Sequence, residues 1–171
     1  MIWLTADHHF GHANIIKHCN RPFASVREMD QALIVHWNAV VGKNDTVWHL
    51  GDFAFKGLHP REYLARLNGK INILHGNHDN LQYLEQCRQW GMIEWHGPVR
   101  EIKWEKKKFW LSHYAHRTWP ASHHGAFHLY GHSHGNLPSV GRSMDVGVDN
   151  FNFYPVSIDA VVKTLEPKEM A

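Results

Sequence analysis

Residues 2–9 read IWLTADHH, an apolar run that gives way at once to a polar one. A short apolar run that stops in this way is typical of a buried strand, so we expect a strand from Ile2 to Ala6. Asp7 and His9 follow it with one residue between them, and both side chains are able to bind a metal ion. The polar, glycine-containing stretch from His8 to Arg21 is predicted to be a loop. The first strand therefore delivers two candidate ligands to the edge of a sheet.

Two further predicted strands end in the same way. Residues 45–50 lead into Gly51-Asp52, and residues 71–74 lead into Gly76-Asn77-His78-Asp79. When strands of this kind alternate with helices, the sheet is parallel, and its sites lie outside the carboxyl ends of the strands. We therefore expect the three polar motifs to meet at one edge of the first sheet.

The segments between these strands have helical patterns. Residues 25–28 have the form of a capping box, and apolar residues then recur at helical spacing up to a predicted end at Gly42. Residues 60–67 and 81–90 are also predicted to be helical, the first with proline in its first turn.

The second half of the chain is rich in strand patterns. Residues 99–104 and 109–112 flank the turn segment 105–108, which predicts a hairpin, and residues 127–130 and 143–148 are further strand candidates. Residues 157–165 are a candidate closing helix. With 171 residues and no repeat or linker, we expect a single domain spanning residues 1–171.

Composition narrows the class of protein. The net charge of +2 is too small to indicate a nucleic-acid or membrane partner by itself, and no apolar run approaches the length of a membrane span. Two isolated cysteines, and a first strand that leaves no room for a signal peptide, lead us to expect a reduced, cytoplasmic protein. The 17 histidines favour metal or proton chemistry, although most of them are expected to have no role in a site.

The order of the motifs resembles the calcineurin-like metallophosphoesterase superfamily. Its blocks D-x-H, G-D, G-N-H-[DE], H and G-H-x-H correspond to Asp7-x-His9, Gly51-Asp52, Gly76-Asn77-His78-Asp79, His113 and Gly131-His132-Ser133-His134. The fold that this resemblance implies is an α/β/β/α sandwich, in which helices flank two mixed β-sheets. Residues 7–16 and 21–23 further resemble the small bacterial and phage members.

The resemblance also implies a centre of two divalent metal ions. One ion would be held by Asp7, His9, Asp52 and His134, and the other by Asp52, Asn77, His113 and His132, so that Asp52 bridges the two. A hydroxide held between the ions would attack phosphorus, with His78 as general acid and Asp79 orienting its ring. The mixed nitrogen and oxygen ligands suit Mn²⁺, our working choice, and also Fe, Ni, Co or Zn.

The candidate metal ligands, His78 and Asp79 do not include a residue that would bind the phosphate. The arginine that grips phosphate in the Ser/Thr protein phosphatase branch is absent, which disfavours protein dephosphorylation. We take Arg21, Arg117, His12 and His116 as candidate substrate-binding residues because they lie in loops near the ligand blocks, although each could equally be a solvated loop residue.

The motifs leave the substrate open. The short gaps between them indicate that no cap domain encloses a small monoester, which favours a phosphodiesterase over a phosphomonoesterase or nucleotide phosphatase. A non-catalytic binding scaffold with the same fold is the alternative outside catalysis. The basic run Lys106–Lys108, and Trp119 as a stacking platform, keep a nucleic-acid substrate under consideration, although a solvated turn and a packed loop explain them more simply.

Overall fold

The computed structural model describes residues 1–166 and contains two β-sheets. The strands are β1 (Ile2–Thr5), β2 (Thr46–His49), β3 (Lys70–Leu74), β4 (Trp95–Gly97), β5 (Val99–Trp104), β6 (Lys107–Ser112), β7 (Phe127–Tyr130), β8 (Ser143–Asp145) and β9 (Val156–Ser157). The helices are α1 (Ala13–His18), α2 (Val26–Val40), α3 (Arg61–Leu64), α4 (Leu81–Gln89) and α5 (Ile158–Leu165). No helix of residues 1–166 is both long enough and apolar enough to cross a bilayer.

The first sheet has the strand order β4-β3-β2-β1-β9. Strands β1 to β4 are mutually parallel, as the alternation of strands and helices predicts, and β9 adds antiparallel to β1. The sequence did not predict β4 and β9, because strands of three and two residues carry no periodic pattern. They widen the sheet beyond the strands that carry the polar motifs.

The helices cover this sheet and mostly agree with the sequence pattern. Helix α2 is capped as predicted: the Ser25 hydroxyl accepts from the Glu28 amide, and the Glu28 carboxylate accepts from the Ala24 amide. Two expectations were wrong. Helix α1 lies inside the stretch predicted to be a loop, and α3 ends at Leu64, earlier than predicted.

The second sheet has the order β5-β6-β7-β8, with β5 and β6 antiparallel and the other pairs parallel. Glu105 and Lys106, with φ of 46° and 68°, form the two-residue turn of the predicted hairpin. Lys107 and Lys108 are not in the turn, because they pair with β5 as the start of β6. The basic run is therefore divided between a turn and an edge hairpin.

Two apolar cores hold the layers together. In the first, Leu33 and Trp37 of α2 pack with Val47 and Ile73 on one face of the first sheet. In the second, residues of both sheets, such as Leu4 and Phe109, pack with α5. The predicted fold class is confirmed, since two mixed sheets are flanked by helices. One further contact joins the sheets at the carboxyl edge, where Ala6 bridges to Gly147.

Candidate metal centre

The predicted ligands lie where the strands of both sheets end, and many of them have an unusual backbone. Five of them have left-handed φ angles between 46° and 66°: Asp7, His9, Asp52, His132 and His134. Residues with a Cβ rarely adopt this conformation, and each instance costs on the order of 1–3 kcal/mol unless its surroundings impose it. Such strained residues cluster at functional sites, so this concentration marks the carboxyl edge as the candidate site.

Asp52 occupies the centre of the cluster. Its Oδ2 lies 3.5 Å from His9 Nε2 and 3.5 Å from His113 Nε2. These distances are too long for good hydrogen bonds. Ligands bound tetrahedrally at about 2.1 Å from one ion lie about 3.4 Å apart, so the same spacing suits shared coordination. The Asp52 carboxylate is thus placed between two imidazoles as a bridging ligand would be.

The other predicted ligands fall into two groups around Asp52. In one, donor atoms of Asp7, His9 and His134 lie within 4.8 Å of one another, and in the other the same is true of Asp52, His113 and His132. The Asn77 Oδ1 joins the second group, 3.2 Å from His113 Nε2. All seven residues are therefore brought together.

Several of the candidate ligand atoms are buried without a hydrogen-bond partner in the described part of the chain, as expected for atoms that bind a cation. Among residues 1–166, Asp7 Oδ1 and both ring nitrogens of His9 are buried without a hydrogen-bond partner. Burial raises the pKa of Asp7 to about 8 and lowers that of His9 to about 2. Burying polar atoms without partners is costly, and a divalent ion would supply the missing interaction. The chemistry of this donor set therefore fits metal binding.

Asp79 has a different position from the one predicted. Its carboxylate accepts hydrogen bonds from the backbone amides of Asp52, Phe53 and Gly76 at 2.8–2.9 Å. No hydrogen bond joins it to the ring of His78 among residues 1–166, in contrast to the predicted role of orienting that ring. Asp79 instead ties together the two loops that carry Asp52 and Asn77. A Cβ at Gly76 would collide with the Asp52 carboxylate and amide, so glycine permits this close approach.

His78 and His12 lie beside the cluster and line its cleft, which has a volume of about 530 Å³. The His78 ring contacts the rings of His9 and His12, with centroid distances of 4.9 and 5.5 Å. The His78 amide donates to Asp52 Oδ1 at 2.9 Å. The Phe55 ring contacts the ring of His12, with a centroid distance of 4.4 Å. Both histidines therefore face the space in which a substrate would meet the ions.

Arg21 is not free to bind a substrate, contrary to the prediction. Its guanidinium is buried, makes two hydrogen bonds of 2.8 Å to Asp149, and also donates to the carbonyl oxygens of Asp7 and His8. Asp149 in turn bonds His134 Nδ1 at 2.7 Å. Arg21 thus fixes the backbone and partners of two candidate ligands instead of reaching into the cleft.

His116 and Arg117 line a second cavity and not the metal cleft. His116 Nδ1 accepts from the Trp110 indole at 3.0 Å. The Trp119 indole donates to the Ala126 carbonyl at 2.8 Å, which fixes the ring against the loop. Neither residue lines the metal cleft, so this placement does not support the predicted role of His116 and Arg117 in binding the phosphate there.

The sequence assigned no definite role to two residues that contact the ligands. Asp149 bonds Arg21 and His134, which lie 128 and 15 residues away in the chain, so no local pattern indicates its role. The Tyr114 hydroxyl lies 3.3 Å from Asn77 Oδ1, and its ring contacts that of His132. Only its position directly after His113 could have suggested this.

Comparisons with known proteins identify relatives of the chain. No protein-family model matches the chain. An uncharacterized protein of Methanocaldococcus jannaschii, MJ1445, is 39% identical over 175 residues, which cover 96% of this chain and 91% of that protein. The gene 66 protein of Mycobacterium phage L5 is 38% identical over 81 residues, or 45% of this chain and 39% of the phage protein.

Two solved structures share the fold. A protein of unknown function from Aquifex aeolicus, AQ665, superposes with a TM-score of 0.76 and 22% identity, covering 96% of this chain and 98% of that one. An archaeal phosphodiesterase superposes with a TM-score of 0.52 and 19% identity, covering 85% and 81%. The chain belongs to the same family as the Methanocaldococcus protein, and its fold is that of the calcineurin-like metallophosphoesterase superfamily.

Proposed function

We propose that this protein hydrolyses phosphate esters, with phosphodiesters as the favoured substrates, in a reaction that depends on two divalent metal ions. One observation carries the proposal. The single carboxylate of Asp52 lies 3.5 Å from an imidazole of each of the two ligand groups. A shared carboxylate between two groups of nitrogen and oxygen donors is the arrangement that binuclear hydrolases use.

The two ligand groups would hold one ion each, with Asp52 common to both. When bound, such ions lower the pKa of water toward neutrality, orient a phosphoryl group and neutralise its charge. The protein's own contribution is to keep the donor atoms in place. Asp79 holds the Asp52 and Gly76 backbone, and Asp149 holds the His134 ring.

We assign the general-acid role to His78. Its ring lines the cleft and packs against His9 and His12, and within residues 1–166 its ring nitrogens make no hydrogen bond to the protein. An imidazole without a protein partner can present its proton to the oxygen of a leaving group. Such a group contributes about 10² to 10⁴ in rate, most for leaving groups that are poor without protonation. His12 stands next to it as a candidate for contacting the substrate.

The short segments between the ligand motifs support the preference for diesters. The longest described element between them is the 15-residue helix α2, so little chain is available to cover the opening. An open cleft accommodates a phosphate with two organic substituents. A phosphomonoesterase or nucleotide phosphatase is the nearest alternative, and a scaffold that binds without catalysis is the next.

Metal reconstitution tests the proposal. Protein stripped by a chelator and titrated with Mn²⁺ should bind two equivalents and hydrolyse bis-p-nitrophenyl phosphate faster than p-nitrophenyl phosphate. Asp52→Asn should bind less metal and lose activity, whereas Asp159→Asn, an exposed carboxylate on α5, should match the wild type. Faster hydrolysis of the monoester would favour the phosphomonoesterase. Two bound ions without hydrolysis of any ester in a broad panel would favour the scaffold.

A further inference from the structure

A second cavity, lined in part by chain neighbours of residues at the metal cleft, has a different character. It has a volume of about 530 Å³ and is lined by aromatic and aliphatic side chains, including Trp119, Tyr130, Leu137 and Val140, together with His116 and Arg117. A cavity of this size and composition, with a few polar groups among apolar walls, is typical of a site for a small organic ligand.

The two cavities meet at two points along the chain. Asn136 lines the metal cleft and the next residue, Leu137, lines the second cavity. Tyr114 contacts Asn77 and His132, and the next residue, Ala115, lines the second cavity. Because consecutive Cα atoms are about 3.8 Å apart, the linings of the two cavities are separated by one residue of backbone at each of these points.

Three polar groups of the cavity can donate hydrogen bonds and have no partner within residues 1–166, whereas the Ser143 hydroxyl and the Trp119 indole donate to backbone carbonyls. Tyr130 is only 1% exposed, and its hydroxyl makes no hydrogen bond to residues 1–166. His116 Nδ1 accepts from the Trp110 indole, so the neutral ring carries its hydrogen on Nε2, which also has no partner in that range. Arg117 is exposed and forms no ion pair with any described acid. No carboxylate lines this cavity in the described structure.

The walls and the hydrogen-bond donors of this cavity indicate the kind of ligand that it would bind. Aromatic walls favour a flat ring, and donors without a neighbouring carboxylate favour a ring that carries acceptor atoms. The exposed side chains of Leu137 and Val140, 45% and 74% accessible, leave apolar surface for such a ring to cover. A guanidinium also matches the carbonyl oxygen and ring nitrogen on one edge of guanine.

We propose that this cavity binds the nucleobase of a nucleotide phosphodiester while the phosphate lies at the metal centre. The inference rests on the proposed function and gives it a substrate class. Arg117 and the Tyr130 hydroxyl determine specificity by donating to the base, and Trp119 forms an apolar wall. The cavity does not take part in bond breaking.

A pair of chromogenic esters with the same leaving group tests this assignment. Guanosine 5′-(p-nitrophenyl phosphate) carries the base, and methyl p-nitrophenyl phosphate lacks it. The wild type should show a higher kcat/KM for the guanosine ester, mainly through a lower KM. Arg117→Ala and Tyr130→Phe should each reduce this preference about tenfold, because each removes a donor to the base. Arg27→Ala, an exposed arginine on α2, should retain it.

The outcomes separate the cavity from the catalytic proposal. No preference in the wild type, or the wild-type preference in Arg117→Ala, would overturn the assignment, as would a stronger preference for a long-chain alkyl ester. If no ester is hydrolysed, the proposed function fails, and guanosine 5′-monophosphate becomes the probe. A shift of the Trp119 indole signal on its addition, weakened in Arg117→Ala, would still support a base site, and no shift would refute it.

Discussion

The carboxylate of Asp79 binds the backbone of Asp52 and not a side chain: its Oδ2 accepts from the Asp52 amide at 2.9 Å. Its other oxygen accepts from the next amide, that of Phe53, and Oδ2 is shared with Gly76. Burial raises the pKa of Asp79 to about 6, and the amide hydrogen bonds oppose that rise. The bridging carboxylate of the candidate centre is thus positioned through its own main chain.

Asp79→Asn should weaken metal binding without removing a ligand. An amide has one acceptor oxygen, so at least one backbone amide loses its partner and the Asp52 loop shifts. We expect metal affinity to fall by about 10- to 100-fold, as for other residues that support ligands. Calorimetric titration with Mn²⁺ measures this, with Asp159→Asn as the control. Unchanged affinity together with a loss limited to turnover would instead support the predicted role of orienting His78.

His78→Gln should separate proton donation from metal binding. We expect kcat to fall by about 10² to 10⁴ for a diester with an alkyl leaving group, and much less for a p-nitrophenyl leaving group, which needs no proton. Metal content, measured by elemental analysis, should stay at the wild-type value. If metal is lost from this variant, His78 is a ligand and not the general acid. His59→Gln, a histidine outside the cleft, is the control.

Arg21→Met should lower the free energy of unfolding of the protein. The buried guanidinium pairs with Asp149, and removal of one partner of a buried ion pair costs about 3–5 kcal/mol. Urea unfolding measures this free energy. The double variant with Asp149→Asn should be less destabilised than the sum of the single variants, because the carboxylate is no longer left uncompensated. A strictly additive result would show that the pair is not coupled.

Stability should decline in mild acid partly because of His128. Burial lowers its pKa to about 4, and its Nε2 accepts from the His116 amide. Between about pH 6.5 and 4 the unfolded chain takes up this proton and the folded chain does not, so stability falls as the pH falls. The slope is at most about 1.4 kcal/mol per pH unit.

His128→Gln provides the measurement of that contribution. Glutamine can accept from the same amide and donate to the Trp110 carbonyl, as His128 does, but it does not titrate. Thermal unfolding between pH 7 and 4 should show a shallower loss of stability than in the wild type. His123→Gln, at an exposed position, should keep the wild-type slope. The same slope in both variants would assign the acid sensitivity to other groups.

The sequence was sufficient to predict features that depend on residues close together in the chain. Helix α2 begins after Ser25 because the hydroxyl and the Glu28 carboxylate satisfy nearby amides, all within four residues. The alternation of strands and helices was enough to bring Asp7, His9, Asp52 and Asn77 to one edge, since parallel strands share that edge. The three remaining candidate ligands follow strands of the second sheet and were assigned only through the family resemblance.

What could not be predicted depends on distant partners. The Arg21 guanidinium is drawn to Asp149, 128 residues away, and no local pattern distinguishes that from a phosphate-binding loop arginine. The role of Asp79 depends on amides 26 and 27 residues earlier. Strands β4 and β9 form because a neighbouring strand offers free backbone groups, and their own residues are too few to show it.

The left-handed backbone at five candidate ligands means that the candidate metal centre lowers the folding stability of the protein. Glycine adopts such angles at little cost, so its replacement of His9 or His132, whose side chains make no hydrogen bond among residues 1–166, would relieve the backbone strain there. A population of variants selected only for resistance to heat, without metal, should therefore drift toward glycine at these positions. Only selection that rewards metal-dependent activity would keep the side chains in place.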